Sequence, residues 1–276
     1  MSGMGRGLKT IALVAAVCAA GTLPCIAQEA SPVVFKRGGD GHPDLSGSWT
    51  RGGVMGVPGN GIPTINDGRG ICVVNCGSAV ARTAAPARRP ATDFPSYKAE
   101  FRDKVAQLSK EQVKTDSSLR CQNPGLPRIG PPRKIVQTAT EVVFLYEDIT
   151  GSFWRIIPTD GRPHRDDAEE SPLGDSVGHW NGDTLVIETT SFDDASWLTD
   201  NGAFHTNKMK VIEEVAPGDG GLSYTATVED PEVLAEPWKK SVVLKPTRNP
   251  LQPAPCVELS IAEMIGTDSY HPNPRW

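Results

Sequence analysis

The stretch 174–192, GDSVGHWNGDTLVIETTSF, constrains the fold more than any other part of the chain. Two β-prone runs flank Asn181-Gly182, and this dipeptide is the strongest short-range hairpin signal because both central residues of a type I′ turn need a positive φ. With Asn181 and Gly182 as the loop, Asp175 lies opposite Glu188. The sequence therefore predicts an antiparallel hairpin around which the rest of the chain is organised.

Side chains alternate between the two faces of this hairpin. One face carries Trp180, Gly178, Leu185 and Ile187. The other face combines an imidazole, two carboxylates, a threonine and two valines: His179, Asp175, Glu188, Thr184, Val177 and Val186. If this second face is buried, it forms an acid/base site, because burial and a like-charge neighbour raise the pKa of a carboxyl group. If it faces solvent, the Trp180 face is the core.

The chain after residue 134 predicts a series of short strands joined by turns. Strands are expected at Ile135–Ala139, Val142–Glu147, Ser152–Thr159, the hairpin above, Lys208–Val215, Leu222–Glu229, Trp238–Lys245 and Cys256–Met264, with an earlier one at 43–50. About nine strands joined by hairpin-length turns, without helices between successive strands, indicate an all-β barrel or sandwich. The expected fold is mostly β: a lipocalin-like up-and-down antiparallel barrel that is able to enclose one small ligand.

Three regions are expected along the chain: a signal peptide over 1–27, an N-terminal region over 28–134 and the barrel core over 135–276. The N-terminal region holds a first strand, a long irregular wrap rich in Gly and Pro over 51–95, and one helix over Ser96–Lys114. Phe101, Val105 and Leu108 give that helix one apolar face, which predicts packing on the outside of the sheet.

The first 27 residues resemble a secretory signal, with Arg6 and Lys9 before a short apolar run and a small-residue exit at Ala27. The expected location is therefore the periplasm or the extracellular medium, with no membrane anchor. Removing these two basic residues from 28 leaves 26 against 33 acidic ones, a net charge of −7. This acidic balance argues against a nucleic-acid partner, which favours a basic face. The oligomeric state is left open.

Four cysteines follow the signal, at positions 72, 76, 121 and 256. An even number in an oxidising compartment indicates two disulfides, and three pairings are possible. The favoured pairing is Cys72–Cys76 with Cys121–Cys256. Metal or redox chemistry is the alternative, but Cys72 and Cys76 have three residues between them rather than two.

Three histidines, His164, His179 and His205, fall on or near the same mouth of the expected barrel. Histidine titrates near neutral pH, so they are the candidate catalytic acids and bases, with Asp175 and Glu188 as partners. They are also candidates for hydrogen bonds that only stabilise turns. A third possibility is metal ligation together with Asp175, Glu188 or Asp166, but no His-x-His or His-Glu-x-x-His spacing supports it, so no metal is expected. The sequence has no P-loop and no dinucleotide fingerprint, and no cofactor is expected.

The candidate substrate-binding residues combine aromatic walls with two polar groups: Tyr146, Arg155, Trp180, Trp197 and Phe204. Aromatic side chains with a few polar groups are typical of a small-molecule site. They are equally typical of a β core, and the core is the favoured position for Trp154 and Trp238. Gly174–Gly178 fits the letters of the Gly-x-Ser-x-Gly hydrolase motif, but a hairpin follows it rather than the required strand–turn–helix.

Seven short runs over 135–231 resemble a family of exported, largely uncharacterised proteins of Gram-negative bacteria. They are 135–138 IVQT, 146–147 YE, 159–164 TDGRPH, 176–180 SVGHW, 182–186 GDTLV, 189–192 TTSF and 229–231 EDP. The resemblance covers a little over a third of the chain. It implies a secreted β-rich domain and brings no reaction with it.

Two functions are expected from these residues. The first is an exported, cofactor-independent lyase, hydratase or isomerase that acts on a small, mostly apolar substrate by His/carboxylate acid–base catalysis in a barrel pocket. The second is a periplasmic lipocalin-like carrier with the same pocket and no chemistry, and a hydrolase is a third option. Catalysis requires His179 and either His164 or His205 within hydrogen-bond reach of one cavity.

Overall fold

The computed structural model describes residues 33–51, 94–148, 150–253 and 256. Several expected features lie outside these residues: the signal peptide, almost all of the Gly- and Pro-rich wrap, the Cys72–Cys76 disulfide and most of the strand at Cys256–Met264. The described part confirms the predicted fold class. It is mostly β, with a nearly closed antiparallel barrel-like sheet and a helical stretch before it.

The strands and helices follow the predicted order closely. The helical stretch consists of α1 (Arg102–Lys110) and α2 (Gln112–Thr115), and 3-10 turns lie at Ala99–Phe101 and Ser117–Arg120. The strands are β1 (Gly47–Arg51), β2 (Lys134–Gln137), β3 (Glu141–Asp148), β4 (Gly151–Pro158), β5 (Asp175–Asn181), β6 (Thr184–Thr190), β7 (Trp197–Thr199), β8 (Ala203–Phe204), β9 (Lys210–Gly218), β10 (Gly221–Glu229) and β11 (Trp238–Pro246).

Nine of these strands form one sheet in the order β4-β3-β2-β1-β11-β10-β9-β6-β5, and β7 and β8 form a separate small ribbon. Every hydrogen-bonded pair in the large sheet is antiparallel. Eight antiparallel steps leave the two end strands, β4 and β5, running in the same direction. Among the described strands, β4 and β5 are adjacent without a backbone ladder, so a seam between two parallel strands interrupts the barrel.

The central hairpin is present, but its loop lies one residue later than predicted. Asn181 pairs with Thr184, so Gly182 and Asp183 are the loop residues. Gly182 has a φ of +61° and Asp183 is not among the residues with positive φ. This is the arrangement of a type II′ turn, which places Gly at its first central position. The predicted pairing of Asp175 with Glu188 is therefore wrong, and Val177 pairs with Glu188 instead.

The shift of the loop moves both strands of the hairpin and so preserves which residues share a face. Leu185 and Ile187 are fully buried, and Gly178 lies beside them. The Trp180 face is therefore the core face, and the face with His179 and Glu188 is on the outside of the barrel. The structure therefore matches the second alternative, in which the Trp180 face is the core, and the condition for a buried acid/base site on the other face is not met.

The barrel interior is filled by side chains. Phe144, Ile157, Val211 and Leu222 are each at most 1% exposed, and a small barrel has an interior just wide enough for such packing. The helical stretch packs against the hydrophobic core through Phe101, Val105 and Leu108, and the strand that α1 contacts is β8 of the small ribbon.

The predicted disulfide between Cys121 and Cys256 is present and links residues 135 positions apart. It ties the segment after the helices to the chain beyond β11. Among the described residues, no helix has the length and apolar character needed to cross a bilayer.

Candidate functional site

The segment that connects β4 to β5, residues 159–174, is named the crossover segment here. Parallel neighbours cannot be joined by a tight turn and need a connection of about a dozen residues or more. The crossover segment therefore has to return along the barrel before β5 begins. It starts near β5, since a Cβ built on Gly178 would lie 3.2 Å from the Cγ2 of Thr159. At its far end, Ser171 bridges to Phe192, just after β6.

A groove of about 570 Å3 lies along the seam between the outer face of β4 and the crossover segment. We call it the seam groove. Trp154, Arg155, Ile156 and Pro158 line it from β4, and Arg162, Pro163 and Arg165 line it from the crossover segment; Leu173, Asp175, Ser176 and Val177 also contribute. Trp154 is 63% exposed and Ile156 48% exposed, although both are large apolar residues on a strand.

The two exposed arginines of the seam groove, Arg162 and Arg165, are each anchored by one aspartate. Arg162 donates through Nε and Nη2 to Asp160, and this contact lowers the pKa of Asp160 to about 2. Arg165 donates through Nε to Oδ1 of Asp175 over 2.9 Å. Each anchor leaves part of the guanidinium free of any hydrogen bond to the described residues: Nη1 of Arg162, and both Nη1 and Nη2 of Arg165.

His164 lies between two carboxylates on the outer face of β5 and β6. Its Nδ1 is 2.9 Å from Oδ2 of Asp175, and its Nε2 is 3.6 Å from Oε1 of Glu188. Burial favours protonation of Asp175, but its bonds to His164 and Arg165 outweigh burial and lower its pKa. Lys210 donates to Glu188 over 3.2 Å. The structure thus brings together three of the five residues expected to be catalytic.

The Nε2 atom of His164 is buried and has no hydrogen-bond partner among the described residues. His164 does not line the seam groove, although its neighbours Pro163 and Arg165 do. A general base must reach the proton that it takes from the substrate. In this conformation His164 instead hydrogen-bonds to Asp175 and so links the crossover segment to β5. This link holds Arg165 beside the groove.

The other two candidate histidines lie elsewhere. His179 is exposed on the outer face of β5. His205 follows β8 and is buried, with Nε2 2.9 Å from Oγ of Ser196 and Nδ1 3.1 Å from the carbonyl oxygen of Thr206. Burial lowers the pKa of His205. No described contact joins His205 to His164 or His179, so the expected convergence of the three histidines is not seen.

Arg155 points into the barrel, as its alternation with Trp154 and Ile156 predicts. Its Nη2 donates to both carboxylate oxygens of Glu213, at 2.8 and 2.6 Å. Its Nε donates to the hydroxyl of Tyr146 and its Nη1 to that of Ser176. Tyr224 donates to Glu213 over 2.7 Å. We call Arg155, Glu213, Tyr146, Tyr224, Ser176 and Thr189 the interior cluster.

The interior cluster is buried, and its ionised pair, Arg155 and Glu213, is fully hydrogen-bonded. Burial raises the pKa of Tyr146 and of Tyr224, so both hydroxyls remain neutral; that of Tyr146 accepts from Arg155 and that of Tyr224 donates to Glu213. Burial opposes the charge of Arg155, but Glu213 outweighs that penalty and raises the arginine pKa. Arg155 and Ser176 bond across the seam from inside, so the cluster joins β4 to β5 where the backbone does not. Tyr146 and Arg155 are therefore committed to the core.

The remaining predicted binding residues do not line the seam groove. Trp180 stacks on His42 near the hairpin loop, with ring centroids 4.6 Å apart. Trp197 lies 5.8 Å from Arg128 in another part of the core, and Phe204 packs on Tyr97. Trp238 is buried as favoured, whereas the favoured core position of Trp154 is wrong because this side chain lies on the outer face.

Glu213, Tyr224, Arg162 and Arg165 were not among the site residues predicted from the sequence. A signal for Glu213 was present: it alternates with Val211 and Val215, so an acid occupies an apolar face of a strand. Arg155 gives the matching basic signal on β4. The two arginines beside His164 gave no periodic signal, because they lie on an irregular connection.

A second pocket of about 240 Å3 lies at the start of the helical stretch, lined by Phe94, Tyr97, Arg102 and Val105 among others. It is smaller and carries a single charged group. No set of three or more His, Cys, Asp or Glu side chains within the described ranges is arranged to hold a metal ion.

No protein-family model matches the chain. Searches of curated proteins and of solved structures likewise found no match. The resemblance to exported Gram-negative proteins therefore stays a prediction.

Proposed function

We propose that the protein is an exported small-molecule binding protein, and that its ligand lies in the seam groove rather than inside the barrel. The proposal rests on one observation: exposed apolar side chains lie in the same groove as arginines that are held by aspartates. Small-molecule sites combine apolar walls with a few oriented polar groups. Trp154 and Ile156 supply the walls, and Arg165 supplies an oriented polar group.

The binding function is favoured over catalysis because none of the three candidate histidines lines the groove, and Asp175, which does line it, already contacts His164 and Arg165. His179 and His205 make no described contact with it, and His164 keeps its Nε2 buried. The interior cluster does not offer a reaction site either, since Arg155 already donates to Glu213, Tyr146 and Ser176.

Acid–base catalysis is the second candidate, and the His164–Asp175 pair favours it. A carboxylate at Nδ1 orients an imidazole so that Nε2 can act as a base. A local movement of the crossover segment would have to expose Nε2. The lyase, hydratase or isomerase activity stays a prediction until a substrate is found.

Thermal shifts in the presence of small aromatic and branched aliphatic compounds test the binding function. A compound that binds only the folded protein raises Tm with its concentration. We expect apolar compounds to raise the Tm of the wild type and to lose this effect in Trp154→Ala. The matched control is Val243→Ala, which removes an exposed apolar side chain from the outer face of β11.

Equal shifts for Trp154→Ala and the wild type would rule out the seam groove as the binding site. Turnover of a binding compound that disappears in His164→Ala would favour the catalytic candidate instead.

A further inference from the structure

Arg165 lines the seam groove with only one of its three guanidinium nitrogens hydrogen-bonded, and that bond holds the side chain in one orientation. Arg165 uses only Nε, which donates to Asp175. Its side chain is 63% exposed, and its Nη1 and Nη2 have no partner among the described residues. The Nη1–Nη2 edge of a guanidinium presents two parallel N–H groups, which match the two oxygens of a carboxylate.

The aspartate that anchors Arg165 is itself held in place. Asp175 also accepts a hydrogen bond from the backbone N–H of Arg165 at 3.2 Å and lies 2.9 Å from Nδ1 of His164. An arginine held at Nε loses less side-chain freedom when it binds a ligand than a free surface arginine does. His164 and Asp175 are positioning residues in this arrangement, and Arg165 is the contact residue.

The apolar wall of the groove continues onto the neighbouring strands. Ile156 pairs with Val143, which pairs with Val136 on β2, and Trp154 pairs with Leu145. The side chains of these residues share the outer face of the sheet. A ligand that meets Arg165 thus has an apolar surface of aromatic and branched side chains beside it.

We infer that the ligand of the seam groove is a small apolar carboxylic acid, whose carboxylate binds the Nη1–Nη2 edge of Arg165 and whose hydrocarbon body packs on Trp154 and Ile156. This inference rests on the proposed binding function and adds the chemical class of the ligand. Arg162 is a second cation on the same wall, and its Nη1 is free of described partners. Aspartate and glutamate are also near, at positions 167 and 169, but both are exposed and make no described hydrogen bond to Arg165.

Calorimetric titration of the folded protein with three matched naphthalene probes tests the inference. The probes are 2-naphthoate, its neutral amide and 2-naphthylmethylammonium, which share one apolar body and differ in charge. We expect the wild type to bind the carboxylate at least about tenfold more tightly than the amide, since tenfold corresponds to one good charge-assisted contact. The cation is expected to bind most weakly.

Two variants separate the carboxylate contact from the apolar contact. In Arg165→Gln the preference for 2-naphthoate over its amide is expected to disappear, while binding of the amide is unchanged. In Trp154→Ala both probes are expected to bind more weakly. The matched control is Arg37→Gln, because Arg37 is also an exposed arginine on an aspartate, 2.8 Å from Asp183 at the hairpin loop.

The failures of the inference and of the proposed function give different results. If the acid and the amide bind equally and Trp154→Ala weakens both, the groove binds ligands but the carboxylate inference is wrong. If the cation binds best, Asp175 sets the ligand charge and the inference is also wrong. If none of the three probes binds at millimolar concentration, the seam groove is not an apolar binding site and both proposals fail.

Discussion

Arg155 and Arg165 each meet a carboxylate, but in opposite surroundings. Arg155 lies inside the barrel on Glu213 and fills its remaining donors with hydroxyl groups. Arg165 lies outside, holds Asp175 through one nitrogen and leaves two nitrogens to solvent. The first arrangement links five strands, β3, β4, β5, β6 and β9, and the second leaves two guanidinium nitrogens able to bind another group. An arginine whose three nitrogens are all hydrogen-bonded within the protein stabilises the structure, whereas an arginine bonded through one nitrogen can still bind a ligand with the other two.

The largest expected effect is the removal of the interior carboxylate. Glu213→Ala leaves the charge of Arg155 buried without its partner, which costs about 3–5 kcal/mol in the free energy of unfolding. The matched control is Glu214→Ala, the next residue on the exposed face of β9, for which we expect little change. Chemical denaturation measures both. A cost for Glu213→Ala no larger than the control would contradict the view that the interior cluster stabilises the barrel.

A smaller effect is expected when the interior pair keeps its charges but loses one donor. Tyr224→Phe removes the hydroxyl that donates to Glu213 and should cost about 1.5–3 kcal/mol, the range for a hydrogen bond to a charged group. Ser223→Ala, at an exposed position beside it, is the control. Denaturation by urea at neutral pH compares the two. Equal stability of Tyr224→Phe and Ser223→Ala would mean that Arg155 alone satisfies Glu213.

The smallest effect on stability is expected at the outer carboxylate. Asp175→Asn weakens the contacts with Arg165 and His164, but these are partly exposed, so the cost should be about 1 kcal/mol or less. The pKa of Asp175 is lowered in the folded protein. The stabilisation is therefore present above the unfolded pKa of about 3.9 and is lost as the pH falls below it.

The difference in unfolding free energy between the wild type and Asp175→Asn should consequently shrink from pH 7 towards pH 3. Measurement of both proteins across this range checks the sign. A difference that grows on acidification would show that Asp175 is not stabilised as the anion.

Much of the fold follows from local patterns in the sequence. Apart from β7 and β8, which were not predicted, the strands from β2 to β11 lie within about three residues of their predicted ends, because period-two alternation and turn residues are both local signals. The hairpin kept its faces although its loop was misplaced, since moving a two-residue loop by one position shifts both strands without exchanging inside and outside.

The choice of buried face and the composition of the site did not follow from local patterns. Both hairpin faces carry apolar residues, and only the curvature of the whole sheet decides which one points inwards. Arg155 and Glu213 are 58 residues apart, so their contact depends on strand order. The seam groove depends on an odd number of strands, which no single segment reveals.

The pairing of β1 with β11 has a consequence for the order of events during synthesis. β1 bonds to both β2 and β11, and the residues that pair in β1 and β11 are nearly 200 positions apart. The sheet cannot be completed until the last of these strands has left the ribosome, and contacts of such long sequence separation make folding slow. Until then β1 and β10 each expose an unpaired edge. A newly made chain would thus remain incompletely folded for most of its translation.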